Sequence, residues 1–266
     1  MPDGPRHDHL STGDLAKADV EIQIAALDRQ SRLPGIPRLR AWSLAVLGLK
    51  PGERVLDIGS GTGEHARLLA EAVGETGEAT GVDPNEGMRA EAARRAPRAR
   101  FVPGDAYELP FPDGSLDAVT CERLFQHLHD PDRAAREIGR VLRPGGRTVI
   151  TDTDWGTAII HPGDPDIARV VTEAMRGGIA NPFAARRLAG HVKRAGLTID
   201  DVGSQALVQS PSAATGPLVR MLGRMAVDRG VVDAEGCEQF LADLAAAAES
   251  GDFHMSVTMF AVLAHR

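Results

Sequence analysis

The stretch VLDIGSGTGE at 55–64 sets an apolar run directly before glycines at three alternate positions, Gly59, Gly61 and Gly63. Just beyond it Ala66, Leu69, Ala70 and Val73 recur at helical spacing and stop at Gly74. A short strand that ends in glycines and enters an amphipathic helix is half of a β–α–β unit, which needs a parallel neighbour. The chain supplies them. Residues 54–58, 78–82, 100–102, 116–121 and 147–152 read as short apolar strands, with helices between them at 85–96 and 131–142. Asp130 before Pro131 is a helix start, an N-cap residue followed by Pro at the first helical position. Strands alternating with helices imply an α/β fold, a doubly wound parallel sheet covered on both faces.

Upstream, residues 1–14 are polar and read as a flexible tail, and 15–50 as an N-terminal helical cap with helices at 14–28 and 37–49. Downstream the alternation loosens: helices at 164–176 and 182–195, a strand at 198–207, helices at 217–228 and 233–248, and a last strand at 255–265. Without an internal repeat or a low-complexity linker, residues 51–266 read as one domain with helical insertions at about 156–197 and 210–250.

The glycine loop argues against two familiar ligands. A dinucleotide fingerprint needs Gly at position 64, where the Glu64 carboxylate would face a pyrophosphate. A phosphate-cradling loop needs a following Gly-Lys-Ser or Gly-Lys-Thr, which is missing. What remains is a turn for a ligand without phosphates. The 30 Lys and Arg against 37 Asp and Glu leave a net charge of −7 with no basic run, which argues against a nucleic-acid partner and favours small neutral or cationic substrates. Two cysteines, Cys121 and Cys237, make neither a disulfide framework nor a zinc-ligand spacing. The polar start and the lack of a long apolar run predict a soluble, cytoplasmic protein with no membrane partner.

Taken together, the motifs resemble the class I S-adenosylmethionine-dependent methyltransferases. VLDIGSGTG is similar to the family's first motif, and Gly81-Val82-Asp83 to the end of its second strand, whose acidic residue holds the ribose hydroxyls. Gly104-Asp105-Ala106 with Leu109-Pro110-Phe111 resembles the adenine-contacting segment after the third strand. Residues 116–119, then His127-Leu128 and Asp130-Pro131, resemble the fourth strand and its loop; Val141-Leu142-Arg143-Pro144-Gly145-Gly146 resembles the turn before the fifth. Within the family this looks like the small-molecule branch of ubiquinone, menaquinone and natural-product methyltransferases. The resemblance implies a Rossmann-like seven-stranded sheet of order 3-2-1-4-5-7-6 with the last strand antiparallel. It also implies lid segments over the substrate, among them a helix from Asn181-Pro182 to near Gly196, and transfer of a methyl group to a small-molecule O, N or C nucleophile, with S-adenosylhomocysteine as product.

The residue types suit that chemistry. Asp57 would lie near the cofactor's ammonium and the amides of Gly59 and Gly61 near its carboxylate, with Ser60 between them. Asp83, 26 residues beyond Asp57, can accept from both ribose hydroxyls; its competing structural role is a helix N-cap. Pro84 follows it, and Met88 would flank the adenine. Asp105 can accept the adenine amino proton beside Gly104 and the Ala106 amide. Glu122, Arg123 and His127 follow strand four on the cofactor's far side. Gln30 and Arg32, with Arg29, stand just after the first helix and either reach the cofactor carboxylate or are solvated.

On the acceptor side, Arg123 and His127 are four residues apart and Asp154 ends strand five, where ligands of open α/β sheets bind. His127 is a candidate general base, against a loop-closing histidine; Asp154 is a substrate contact, and Trp155 either a stacking wall or core. His129, beside the helix cap, is read as solvated. Asp152 and Asp154 lack the Asp-Asn dyad of metal-dependent enzymes, so no metal is expected. The motifs of nucleic-acid amino methylation and of protein arginine methylation are missing too. Two other readings stay open, a cofactor-retaining cyclase and a non-enzymatic cofactor-binding module. The protein is expected to be a monomer or homodimer.

Overall fold

The computed structural model describes residues 12–162, 169, 173 and 179–266. Residues 1–11 of the expected tail and, apart from Arg169 and Glu173, the helix expected at 164–176 lie outside them. Helices α1 (Thr12–Ser31) and α2 (Gly35–Leu47) come first. Then β1 (Arg54–Ile58), α3 (Glu64–Val73), β2 (Glu78–Val82), α4 (Glu86–Arg95) and β3 (Arg100–Val102) alternate, followed by β4 (Leu116–Glu122), a 3-10 turn (Phe125–His127) and α5 (Pro131–Val141). The chain continues with β5 (Leu142–His161), α6 (Ala184–Arg194), β6 (Thr198–Val208), a second 3-10 turn (Pro211–Thr215), α7 (Pro217–Asp228), α8 (Ala234–Ser250) and β7 (His254–His265).

The strands form a seven-stranded sheet, β3-β2-β1-β4-β5-β7-β6. Its first five members run parallel, and β7 is antiparallel to both β5 and β6. This is the expected order. Alternate residues of each central strand feed opposite faces, as the period of two requires. Leu56, Ile58, Val119, Cys121 and Ile150 pack on one face with Ile138 of α5 and Leu188 and Val192 of α6. Val55, Ala118 and Val149 pack on the other with Leu39 and Leu47 of α2 and Leu69 and Val73 of α3. The predicted stripe of α3 is buried throughout, and Asp130 caps α5 by accepting from the Arg133 amide at 3.0 Å.

Three segments differ from expectation. Strand β5 runs on to His161 because its backbone keeps pairing with β7 past a bulge between Asp154 and Ile159, a long-range ladder that local propensity does not encode. Helix α6, expected as a lid, is a sheet-covering helix: Ala184, Ala185, Leu188 and Val192 are buried in the core against α5. Helix α2, expected within a separate cap, is part of the main core through Ile36, Leu39 and Leu47. In the later insertion, α7, α8 and the second 3-10 turn gather Ala214, Val219, Leu222, Phe240 and Leu244 into a cluster that also takes in Met255 of β7 and packs against Ile160 of β5.

Candidate active site

The glycine loop connects β1 to α3 at the carboxyl edge of the sheet. Gly59, Gly61 and Gly63 have φ of 70°, 50° and 77°, the left-handed region that side chains rarely tolerate. Gly81 is required differently, since a Cβ there would lie 2.6 Å from the Phe101 ring and 2.7 Å from Ser60 Cβ. The loop is braced to β2: the amides of Gly59 and Ser60 donate to the Val82 carbonyl at 2.8 and 3.1 Å, and the Gly61 amide donates to Asp83 Oδ2 at 3.0 Å. The Gly59 and Gly61 amides expected at a ligand carboxylate are therefore already engaged within the protein. Leu124 packs on Gly59, and Leu27 of α1 reaches over Gly61.

Asp83 accepts a second bond from the Asn85 amide at 2.9 Å. It is not the N-cap of α4; Asn85 is, accepting from the Met88 amide at 3.1 Å. A carboxylate has about four acceptor sites, so two remain on Asp83 for ligand hydroxyls. Pro84 follows it, and Met88 is buried. Past β3, Gly104 is tight against Val82 and Pro110, exposed Asp105 accepts from the Tyr107 amide at 2.8 Å, and Ala106 is buried.

Beneath the loop lies an ionic network. Buried Asp57 accepts from Thr120 Oγ1 at 2.9 Å and faces His65 Nδ1 at 3.4 Å. Arg40 of α2 makes a two-pronged contact with Glu122, at 2.7 and 2.9 Å, and reaches Glu64 at 3.0 Å. Burial pushes the Glu122 carboxyl up, but Arg123 and Arg40 overcome it and hold it at about 2. Burial likewise works against charge on His65, yet Asp57 raises its pKa. Arg40 and His65 had no motif value; their role follows from packing.

Arg123 stands where β4 ends, with φ of 57°, a backbone strain uncommon for a residue with a side chain. Its guanidinium donates to Gln30 Oε1 and lies 3.2 Å from Glu122, while its buried Nε has no partner among the described residues. Gln30 is thereby joined to the loop after β4. Next to them opens a cavity of about 760 Å³, walled by Arg29 and Gln30 of α1 with Arg32 and Leu33 just past it, by Arg123 and Gln126 after β4, by Thr153 and Trp155 of β5, and by Gln209, Leu218 and Val219 with Met255 and Val257 of β7.

Gln126, which carried no sequence signal, is a fixed part of this wall. Its Oε1 accepts from Trp155 Nε1 at 2.8 Å, and its amide donates at 3.0 Å to Asp152, whose carboxyl burial raises to about 7. Trp155 thus lines the cavity while also packing in the core. Of the three acceptor-side candidates, only Arg123 lines the cavity. His127 is exposed and outside the lining, and partial burial of its ring together with Arg123 lowers its pKa. Asp154, expected as a substrate contact, is instead fully buried, held by the Arg186 guanidinium and the Gly156 amide and not among the residues lining the cavity; a partner 32 residues away leaves no local trace in the sequence. His129 is exposed, as read.

These residues fit S-adenosylmethionine: a left-handed glycine cradle, an orphaned buried Ser60 Oγ, and an acid with spare acceptor capacity at the end of β2. The described residues contain no group of three or more His, Cys, Asp or Glu placed to hold a metal, and none of their helices is long and apolar enough to cross a membrane.

Comparison with known proteins agrees. The Methyltransferase domain family matches residues 56–150. An uncharacterized 37.1 kDa protein of transposon Tn4556 from Streptomyces fradiae is 31% identical over 259 residues, 95% of this chain and 74% of that protein. A demethylmenaquinone methyltransferase of Beutenbergia cavernae is 43% identical over 119 residues, 44% of this chain and 48% of that enzyme, so the chain spans about half the length of such quinone methyltransferases. Among solved structures, a SAM-dependent methyltransferase from Aquifex aeolicus has a TM-score of 0.54 at 19% identity, over 90% of this chain and 96% of that one. The [4+2]-cyclase SpnF has a TM-score of 0.53 at 24% identity, over 86% and 80%. Both structural likenesses concern the fold alone.

Proposed function

Since the chain belongs to the class I S-adenosylmethionine-dependent methyltransferases, we propose that it methylates an O, N or C nucleophile of a small molecule in secondary or cofactor metabolism. The observation that carries this reading is the junction at Arg123, where the glycine-loop site meets the cavity. Bound in the loop, the sulfonium supplies an already activated methyl carbon, so the chain's task is alignment and exclusion of water.

Asp83 would accept from the cofactor's ribose hydroxyls, and Asp57, buried beside His65 and Thr120, would hold its ammonium. Pro84, Met88, Gly104, Asp105 and Ala106 frame the adenine. Gln30, Ser60 and Glu122 would close the methionine end. Helix α1 lays Leu27 over Gly61 and lends Ala26, Arg29 and Gln30 to the cavity wall. When bound, the cofactor would supply a methyl carbon to the acceptor's lone pair, with the sulfur taking back the bonding electrons, and the residues named here would hold the two reactants aligned. No Asp, Glu, His, Lys, Cys or Tyr lines the cavity among the described residues, which supports a reaction driven by positioning rather than by a side-chain base.

Incubation with methyl-labelled S-adenosylmethionine and a metabolite extract tests the proposal. Label is expected in one product, with one S-adenosylhomocysteine released per transfer; no transfer with any fraction overturns it. The likeness to SpnF keeps a second reading, cofactor-retaining cyclisation, and substrate conversion without S-adenosylhomocysteine release would favour it.

A further inference from the structure

The protein's net charge of −7 favours neutral or cationic substrates, but the cavity is charged the other way. Its titratable lining among the described residues consists of Arg29, Arg32 and Arg123. The charge of Arg123 is offset by Glu122 at 3.2 Å, and Arg40 behind it is matched by the same Glu122 and by Glu64. The side chains of Arg29 and Arg32 form no ion pair or hydrogen bond among the described residues. Asp28, the carboxylate that Arg32 feels, is already held by the Arg95 guanidinium, so the rim keeps an excess of positive charge, while Trp155, Leu207 and Met255 make the interior apolar. The volume of about 760 Å³ is that of a small-molecule pocket.

We propose that the cavity selects an amphipathic anion: an acceptor whose apolar body sits against Trp155, Leu207 and Met255 while its anionic group is held by Arg29 and Arg32. The inference rests on the methyltransferase reading and names the substrate class of that site. Guanidinium is suited to this role, since its planar fork binds a carboxylate or a phosphate through two parallel hydrogen bonds and is always charged. Such a cavity also disfavours an amine of equal length, which would meet like charge without a carboxylate to pair it.

The test is calorimetric titration of the protein, saturated with S-adenosylhomocysteine, with decanoate, decyl phosphate, decanol and decylammonium below their micelle concentrations. The two anions are expected to bind at least about tenfold more tightly than decanol, and decylammonium most weakly. A preference between the anions distinguishes a carboxylate from a phosphate acceptor, and either supports the proposal. The double variant Arg29→Gln with Arg32→Gln, shown by circular dichroism to melt as the parent does, is expected to lose the anion preference while keeping decanol and S-adenosylhomocysteine affinity. Equal binding of anions and decanol, tighter binding of decylammonium, or no binding of any probe overturns the inference. So does a variant that loses S-adenosylhomocysteine affinity instead, which assigns the arginines to the cofactor carboxylate. Failure of the parent to bind S-adenosylhomocysteine, with anion selectivity intact, overturns the methyltransferase reading and leaves the cavity's selectivity standing.

Discussion

Asp83 is the residue on which cofactor recognition and loop geometry meet, because its two oxygens already hold the amides of Gly61 and Asn85. Asp83→Ala should weaken S-adenosylmethionine binding by about 1.5–3 kcal/mol, the range for hydrogen bonds to a charged group, and calorimetry well below the melting temperature measures it. Glu122 works through stability. Its folded carboxyl, at about 2, lies below its ordinary value of 4.5, so its stabilisation is complete above 4.5 and is lost as pH falls through about 2. Glu122→Gln should cost roughly 3 kcal/mol at neutral pH and flatten the acid limb of a urea-denaturation series, because Arg40 and Arg123 lose a buried partner. His127, exposed and outside the cavity lining, should be nearly silent: His127→Ala is expected to keep turnover within about threefold, as for an ordinary surface change. A loss of about 10²-fold or more would restore it as the base.

At the scale of elements, the N-terminal helix is the part whose role depends most on packing. Only its end walls the cavity, through Ala26, Arg29 and Gln30, while Asp28 ties it to Arg95 of α4 with a two-pronged ion pair and Leu27 covers the glycine loop. The core of the sheet does not depend on it, since both large clusters are built from α2 onward. Deleting residues 1–32 should therefore abolish turnover while leaving a cooperative unfolding transition and helical circular dichroism. Retained turnover would show that α1 is no part of the closed site. Helix α6 gives the opposite lesson. The resemblance implies a lid helix starting at Asn181-Pro182, yet Asn181 donates to the carbonyls of Phe125 and Leu128 and Leu188 is fully buried, so this segment braces the loop after β4.

Across the whole molecule, any ligand that binds only the folded state must stabilise it. S-adenosylhomocysteine at 100 times its Kd should add about 2.7 kcal/mol and raise Tm by roughly 5–10 °C for a domain of this size, which scanning calorimetry reads directly. Much of this architecture was legible in the chain, because strands β1 to β5 and helices α3 to α5 are written in local periodicity, and the glycines of 59–63 and the acid at 83 are demanded by local backbone and ligand chemistry. The order of the last two strands came from resemblance, not from pattern. What lay beyond reading was set by contacts distant in sequence. Arg40 meets Glu122 across 82 residues, Asp154 is claimed by Arg186 across 32, and Gln126 and Trp155 face the cavity where His127 does not. Hydrophobic period and turn chemistry act over a few residues and so specify elements. The charge of a cavity is a sum over segments that only the folded chain brings together, which is why an acidic sequence encloses an arginine-lined site.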